Sequence, residues 1–175
     1  IGLIASLVGI VMGPYLANRF GKKKVYLTAV IISTALNLLR LLDVTSMILI
    51  YISALIGGVA GGWMVPVSTS IQADNTTYVQ YKTGKRAEAA IASLTSFVSK
   101  VAQGLGGAIP GYVIAAYGFV TGASVQPESI NTGIILCALI LPLIFGILGS
   151  LIFGTQYTLD QKAVIEMDAK INRNN

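Results

Sequence analysis

The sequence predicts an all-α membrane protein, with five transmembrane helices followed by a cytoplasmic tail helix. Three observations predict it. Hydrophobic residues make up 54% of the 175 residues and charged residues only 11%, with a mean hydropathy of +0.76. A soluble domain is nearer one quarter charged, so a water-soluble fold of this size could not cover itself. Lipid accepts the apolar surface that water rejects. Apolar runs of spanning length recur five times, and basic clusters fall between alternate runs.

A spanning helix needs roughly 20 apolar residues. The first run, Ile1 to Leu16, ends in Arg19 and Lys22-Lys23-Lys24. The second, Val25 to Leu42, ends at Arg40 and Asp43. The third runs from Met47 to Val67 with a polar continuation to Gln72, and the loop expected after it holds Lys82, Lys85 and Arg86. The fourth covers Ala89 to Tyr117 and the fifth Gly133 to Phe153. The expected spans are therefore about 1–18, 25–42, 47–72, 89–118 and 133–154, within a bundle of residues 1–155. The remainder, 156–175, reads as a tail. Its Thr158-Leu159-Asp160-Gln161 has the form of a capping box with Thr158 as N-cap. Ala163, Met167 and Ile171 then recur every fourth residue, as on one face of a helix.

Loops after the first and third spans hold the lysines and arginines, whereas Glu128 is the only charge between Phe119 and Thr132. The positive-inside rule then puts the basic loops and the C-terminus in the cytoplasm, in a multi-pass plasma-membrane protein. Arg40, on the outer side, is expected to snorkel or to pair with Asp43. The net charge of +5 is explained by this topology, so nucleic acid is not an expected partner. Cys137 stands alone inside an apolar run, and there is no histidine. No metal-ligand spacing and no convergent set of general bases follow, so no enzyme, metal or cofactor is expected. The chain opens on Ile1 in the middle of an apolar run, and an upstream part is expected to precede it.

Simple anchors are Leu-rich, but here Gly57, Gly58, Gly61, Gly62 and Pro66 fall in the third span and Gly104, Gly106, Gly107, Pro110 and Gly111 in the fourth. Small residues four apart let helix backbones approach, and glycine and proline permit bends. Tight packing and movement between states both fit. In the fourth span Lys100 lies about 18 Å along the helix from Glu88 at 1.5 Å per residue. A lysine at that depth costs about 2.5–3.5 kcal/mol unless protein or water receives it. Ser93, Ser96, Lys100, Gln103 and Gly107 follow three- and four-residue steps and share one face. Leu94, Phe97, Val98, Val101 and Leu105 take the other. The stripe reads as a cavity lining, and the alternative is a snorkelling or structurally paired lysine. Asn37 and Trp63 are weaker cavity candidates: each also reads as packing, Asn37 through an interhelical hydrogen bond and Trp63 as a core or interface aromatic.

Two loops carry a resemblance. Gly13-Pro14-Tyr15-Leu16-Ala17-Asn18-Arg19-Phe20-Gly21-Lys22-Lys23-Lys24 resembles the basic loop of the major facilitator superfamily. Ala73-Asp74-Asn75-Thr76-Thr77-Tyr78-Val79-Gln80-Tyr81-Lys82-Thr83-Gly84-Lys85-Arg86-Ala87-Glu88 is similar to the signature of the glycoside–pentoside–hexuronide:cation symporters within it, as is the ending Gln156-Tyr157-Thr158-Leu159-Asp160. The resemblance implies helices eight to twelve of twelve in a bacterial symporter that moves a sugar with Na⁺ or H⁺. The coupling cation would be bound mainly by an absent N-terminal half, which would be this chain's partner together with the bilayer and the sugar. It implies that Lys100 and Ser96 face the sugar, and that Arg19, Asp74, Lys82, Lys85, Arg86 and Glu88 form a cytoplasmic gate. Thr77 and Gln80 stand where the family has acids, and Asn18 where the basic loop has one, which implies a looser gate. A major-facilitator carrier of a drug, lipid or nucleoside is the alternative.

Overall fold

Residues 2–123 and 125–173 are described by the structure, a computed structural model of the chain. Ile1, where the first apolar run opens, lies outside the described residues, as do Ser124, the last two residues of the tail and the side chain of Asn172. The described elements are α1 (Gly2–Phe20), α2 (Lys22–Leu42), α3 (Met47–Thr83), α4 (Glu88–Ala116), α5 (Ser129–Ile135), α6 (Leu141–Gln156) and α7 (Gln161–Arg173). A π-helical segment, Leu136–Ile140, joins α5 to α6 in one rod.

Local chemistry sets the boundaries. Gly21 alone separates α1 from α2; its φ of 87° is a left-handed value that a side chain resists. The basic cluster Lys22–Lys24 is therefore the first turn of α2, where the sequence reading had a loop. Asp43 does not pair with Arg40. Its carboxylate accepts from the Thr45 hydroxyl (2.8 Å) and from the Thr45 and Ser46 backbone N–H groups (3.1 Å each), and Ser46 caps α3. Those bonds, the Thr45 hydroxyl first, hold the Asp43 carboxyl below the usual carboxylate range. Helix α3 does not stop near Gln72. It continues to Thr83, and Gly84 closes it in the left-handed conformation with its N–H on the Gln80 carbonyl (2.8 Å). The break comes at the first glycine after the polar stretch, because polar residues such as Gln72 and Thr76 do not end a helix whose flank is covered. Pro142 explains the π segment: its ring would clash with the carbonyl four residues back, and the Leu141 N–H bonds to Leu136 instead. In the tail, Asp160 rather than Thr158 caps α7. Its carbonyl takes the Val164 N–H (3.1 Å) and its carboxylate the Gln161 N–H (2.7 Å).

Helices α1 and α3 run parallel and touch through backbone. Ala5, Gly9, Gly13 and Ala17, every fourth residue, are the buried residues of α1. A Cβ on Gly9 would fall on the Val59 carbonyl oxygen, one on Gly62 on the Ser6 carbonyl oxygen, and one on Gly58 2.6 Å from the Gly2 carbonyl oxygen. Of the two small-residue pairs in α3, only Gly58/Gly62 packs this way, because Gly61 has nothing within 4 Å. Helix α2 runs antiparallel to α6, with Leu27 beside Gly154 and Thr34 beside Gly146. The core is Ala17, Val25, Val67, Ile71 and Tyr157, at the basic end of the bundle. The tail helix packs on the extension of α3, with Lys170 5.7 Å from the Tyr81 ring centre.

Helices α1, α2, α3 and the α5–α6 rod are long and apolar enough to cross a membrane. Helix α4 has the length but not the hydropathy, because its polar stripe dilutes its apolar residues. None of its residues is buried: it meets the rest of the chain mainly near its ends, as where Tyr117 packs on Gly133.

Overpacking a closed interface costs about 1–3 kcal/mol. Gly9→Val and Gly62→Ala are therefore expected to lower the melting temperature of the detergent-solubilised protein, whereas Gly61→Ala should leave it within about 0.5 kcal/mol of the parent.

Candidate functional site

Two sets of polar residues stand out, one along α4 and one at the basic end of the bundle. On α4, Ser93, Ser96, Lys100 and Gln103 are all exposed on one face. The Ser93 hydroxyl donates to the Ala89 carbonyl (2.7 Å). Lys100 makes no ion pair among the described residues. The helix presents a mid-length cation and three neutral hydrogen-bonding groups on one face. Lys100 donates up to three hydrogen bonds; Ser and Gln both donate and accept.

Trp63 and Asn37 lie elsewhere. Trp63 packs on the core from α3 and lines a groove with Met12, Leu16 and Val25, on the α1–α2 side. Its indole Nε1 is buried without a hydrogen-bond partner among the described residues. Asn37 donates to the Ser33 carbonyl (3.1 Å) and lines clefts that α2 shares with α3 and α6. Neither sits on the α4 stripe.

At the basic end the dominant feature is Asp74, the buried charged residue of the core, 6% exposed. It is the only acid in the 37 residues of α3. Lys22 Nζ reaches both carboxylate oxygens at 2.7 Å, and the Tyr157 hydroxyl donates to Oδ2 at 3.2 Å. The pair is well covered, with the Lys22 and Asp74 side chains 18% and 8% exposed. Val67, Ile71 and Asp74 share a stripe of α3, so the carboxylate caps an apolar seam. Phe153 stacks on Tyr157 at 4.9 Å and meets Tyr26 at 4.6 Å, which fixes the phenol. Burial, and then the Asp74 charge, pushes the Tyr157 phenol well above its ordinary value.

Of the expected gate residues, Asp74 thus engages Lys22 and Tyr157, which the sequence reading did not select. A lone acid in a long helix requires a cationic partner, and that was the available signal. Arg19 bonds the Tyr15 hydroxyl (3.2 Å) and lies over Phe20; Lys82 lies over Tyr78. The Lys85 N–H bonds the Thr83 hydroxyl (3.3 Å). Arg86 and Glu88 share a cavity of about 380 Å³ with Thr77, Gln80 and Asp168 of the tail helix. The two positions where the resemblance lacks acids therefore face a cavity to which α7 brings one.

Removing one partner of a covered ion pair leaves the other charge buried. Lys22→Met is expected to destabilise by about 3 kcal/mol. The double variant Lys22→Met/Asp74→Leu should recover most of that in the same thermal-unfolding assay. The raised phenol gives a second test. Below pH 10, the ordinary tyrosine value, its contribution is complete. Above it the unfolded chain releases a proton that the folded chain keeps, so stability falls as pH rises. Tyr157→Phe should flatten the melting temperature against pH between about 9 and 11.

The chain is 30% identical over 95% of its length to the glucuronide carrier protein homolog of Escherichia coli (strain K12), covering 38% of that protein. It is 32% identical over 94% of its length to an uncharacterized symporter of Bacillus subtilis (strain 168), covering 36% of it. With the isoprimeverose transporter of Lactiplantibacillus pentosus it shares 26% identity over 73% of its length, covering 27%. The chain spans between 27% and 38% of the length of these curated relatives. The family model described as MFS/sugar transport protein matches residues 1–161, which takes in every helix that carries the features above except most of α7. By that match the chain belongs to the MFS/sugar transport protein family.

Proposed function

We propose that this chain is the C-terminal part, helices eight to twelve, of a carrier that moves a sugar or glycoside together with Na⁺ or H⁺ by alternating access. The observation that carries the reading is the α4 stripe. A helix of spanning length that keeps Lys100 and three neutral polar side chains on one face belongs beside water and a polar solute, not lipid. The stripe also accounts for the low hydropathy of α4. Of two helical bundles rocking about a midplane site, this one supplies Lys100, Ser96, Gln103 and Ser93 as hydrogen-bonding groups for the solute. Trp63 and Asn37 lie off that face and contribute through packing. The names of the relatives, a glucuronide carrier homolog and an isoprimeverose transporter, favour a carbohydrate over a greasy solute. Cation coupling follows the family resemblance and the symporter name of one relative. A cation that binds the sugar-ready state lowers the cost of loading, a coupling free energy between two sites.

The basic end is read as cytoplasmic by the positive-inside rule, which puts the C-terminus inside. Arg86, Glu88, Lys82, Lys85 and Arg19 then lie at the inner mouth. There the tail's Asp168 supplies a carboxylate where Thr77 and Gln80 do not.

Uptake of labelled glycosides into liposomes, with the protein expressed from its complete gene and with Na⁺ or H⁺ gradients imposed singly, tests the reading. Uptake is expected to require one gradient, and Lys100→Ala to lose at least tenfold while still reaching the membrane, since a charge-assisted bond is worth about 1.5–3 kcal/mol. Gradient-independent behaviour, or an indifferent Lys100→Ala, would remove the coupling or the cavity role respectively. Asp168→Asn is expected to change the turnover rate and leave the half-saturating sugar concentration near its parent value. A change confined to sugar affinity would place Asp168 outside the gate.

A further inference from the structure

Two cavities of opposite chemistry meet at the α1–α2 turn. The first, about 320 Å³, is lined by Phe20, Gly21, Lys22, Lys23, Lys24, Asp74 and the Tyr157–Gln161 segment. The second, about 340 Å³, is a groove lined by Met12, Leu16, Phe20, Val25, Thr28 and Trp63, with Lys24 as its one charged residue. Phe20 and Lys24 border both, so a basic chamber opens directly onto an apolar groove.

The charges of the chamber are unevenly used. Asp74 is held by Lys22 and Tyr157, and the Asp160 carboxylate by the Gln161 N–H. Lys23 and Lys24 make no ion pair among the described residues. The first turn of α2 beside them has no side-chain cap, because Gly21 occupies that position. Its N–H groups add to the positive potential. This chamber lies at the ends of two helices long and apolar enough to cross a membrane, and the groove runs along the same two helices.

We propose that the α1–α2 turn binds one anionic phospholipid, with its phosphate on Lys23 and Lys24 and an acyl chain in the groove of Met12, Leu16, Phe20, Val25 and Trp63. A free anion would use the chamber alone and leave the groove without a role. The groove is lined by helices long and apolar enough to cross a membrane and opens beside Lys23 and Lys24, so one ligand carrying both an acyl chain and a phosphate fits it better than a peptide. Basic pockets between helices at a membrane surface are suited to anionic headgroups, since each nearby lysine strengthens the attraction. The inference depends on the chain crossing a membrane and is independent of which solute is carried.

The test is native mass spectrometry of the protein, expressed from its complete gene and purified in mild detergent. It is offered equimolar phosphatidylglycerol and phosphatidylcholine, with and without inorganic phosphate. One phosphatidylglycerol per chain should be retained in preference to phosphatidylcholine. K23Q/K24Q is expected to bind it about 25-fold more weakly. Its melting temperature without lipid should be unchanged, since neither lysine has a protein partner, and K23R/K24R should keep the preference. Met12→Trp, which fills the groove, should weaken lipid binding and spare any phosphate binding. An unchanged preference in K23Q/K24Q would overturn the proposal, as would an indifferent Met12→Trp. Displacement of the lipid by inorganic phosphate at equal concentration would make the chamber a free-anion site and remove the lipid.

Discussion

A single carboxylate ties this bundle together. Asp74 sits at the end of the apolar seam of α3, takes both oxygens' worth of contact from Lys22 at the start of α2, and receives the Tyr157 hydroxyl from the segment after α6. Three pieces of chain far apart in sequence are brought to one point. A buried ion pair is not cheap: desolvation offsets much of the Coulomb gain, and replacing the pair with apolar groups is often neutral. What the pair provides is registry. An apolar seam alone tolerates sliding, whereas a buried carboxylate accepts few arrangements of its partners, and a wrong one leaves a charge unpaired. The same node closes the basic chamber from one side, so structural and surface chemistry are coupled there.

Away from the node, α1 and α3 hold together by closeness. In a membrane there is little hydrophobic force between helices, so association depends on van der Waals contact and small residues. The Gly9, Gly13, Gly58 and Gly62 positions allow backbone to touch backbone, with Pro66 against Gly13 extending the seam. The glycines of α4 meet nothing within 4 Å. Glycine in α1 and α3 thus closes one interface, and in α4 it leaves a lean surface on a helix that stands off from the others.

That contrast organises the functional reading. Helices α1, α2, α3 and the α5–α6 rod pack together and are apolar enough to span, and the one that carries the polar stripe is neither buried nor apolar to the same degree. Polar groups in a membrane are tolerated where they line water, a solute or other protein, which is why the polar stripe of α4 carries the proposed solute role. The tail helix extends the same logic outward. By packing on the polar continuation of α3 it brings Asp168 into a cavity with Arg86 and Glu88 and makes the end of α3 part of a polar mouth rather than a free loop.

Much of this could be read from residues in a line. Hydropathy determined the class, because the bilayer imposes length and polarity on each segment independently. The stripe of Ser93, Ser96, Lys100 and Gln103 was legible too, since a helix fixes which residues share a face. Helix ends were less so. The run of α3 to Thr83 and the Asp160 cap depend on which backbone groups find partners nearby, and the covering tail helix decides that. Only the tertiary structure could choose between Gly57/Gly61 and Gly58/Gly62, or show that Trp63 packs against the core and lines a groove on the α1–α2 side of α3. Only it could give Asp74 its partners 52 and 83 residues away in sequence. Periodicity states which residues lie together on one helix; what faces them is set by the approach of other helices, and that information resides in packing.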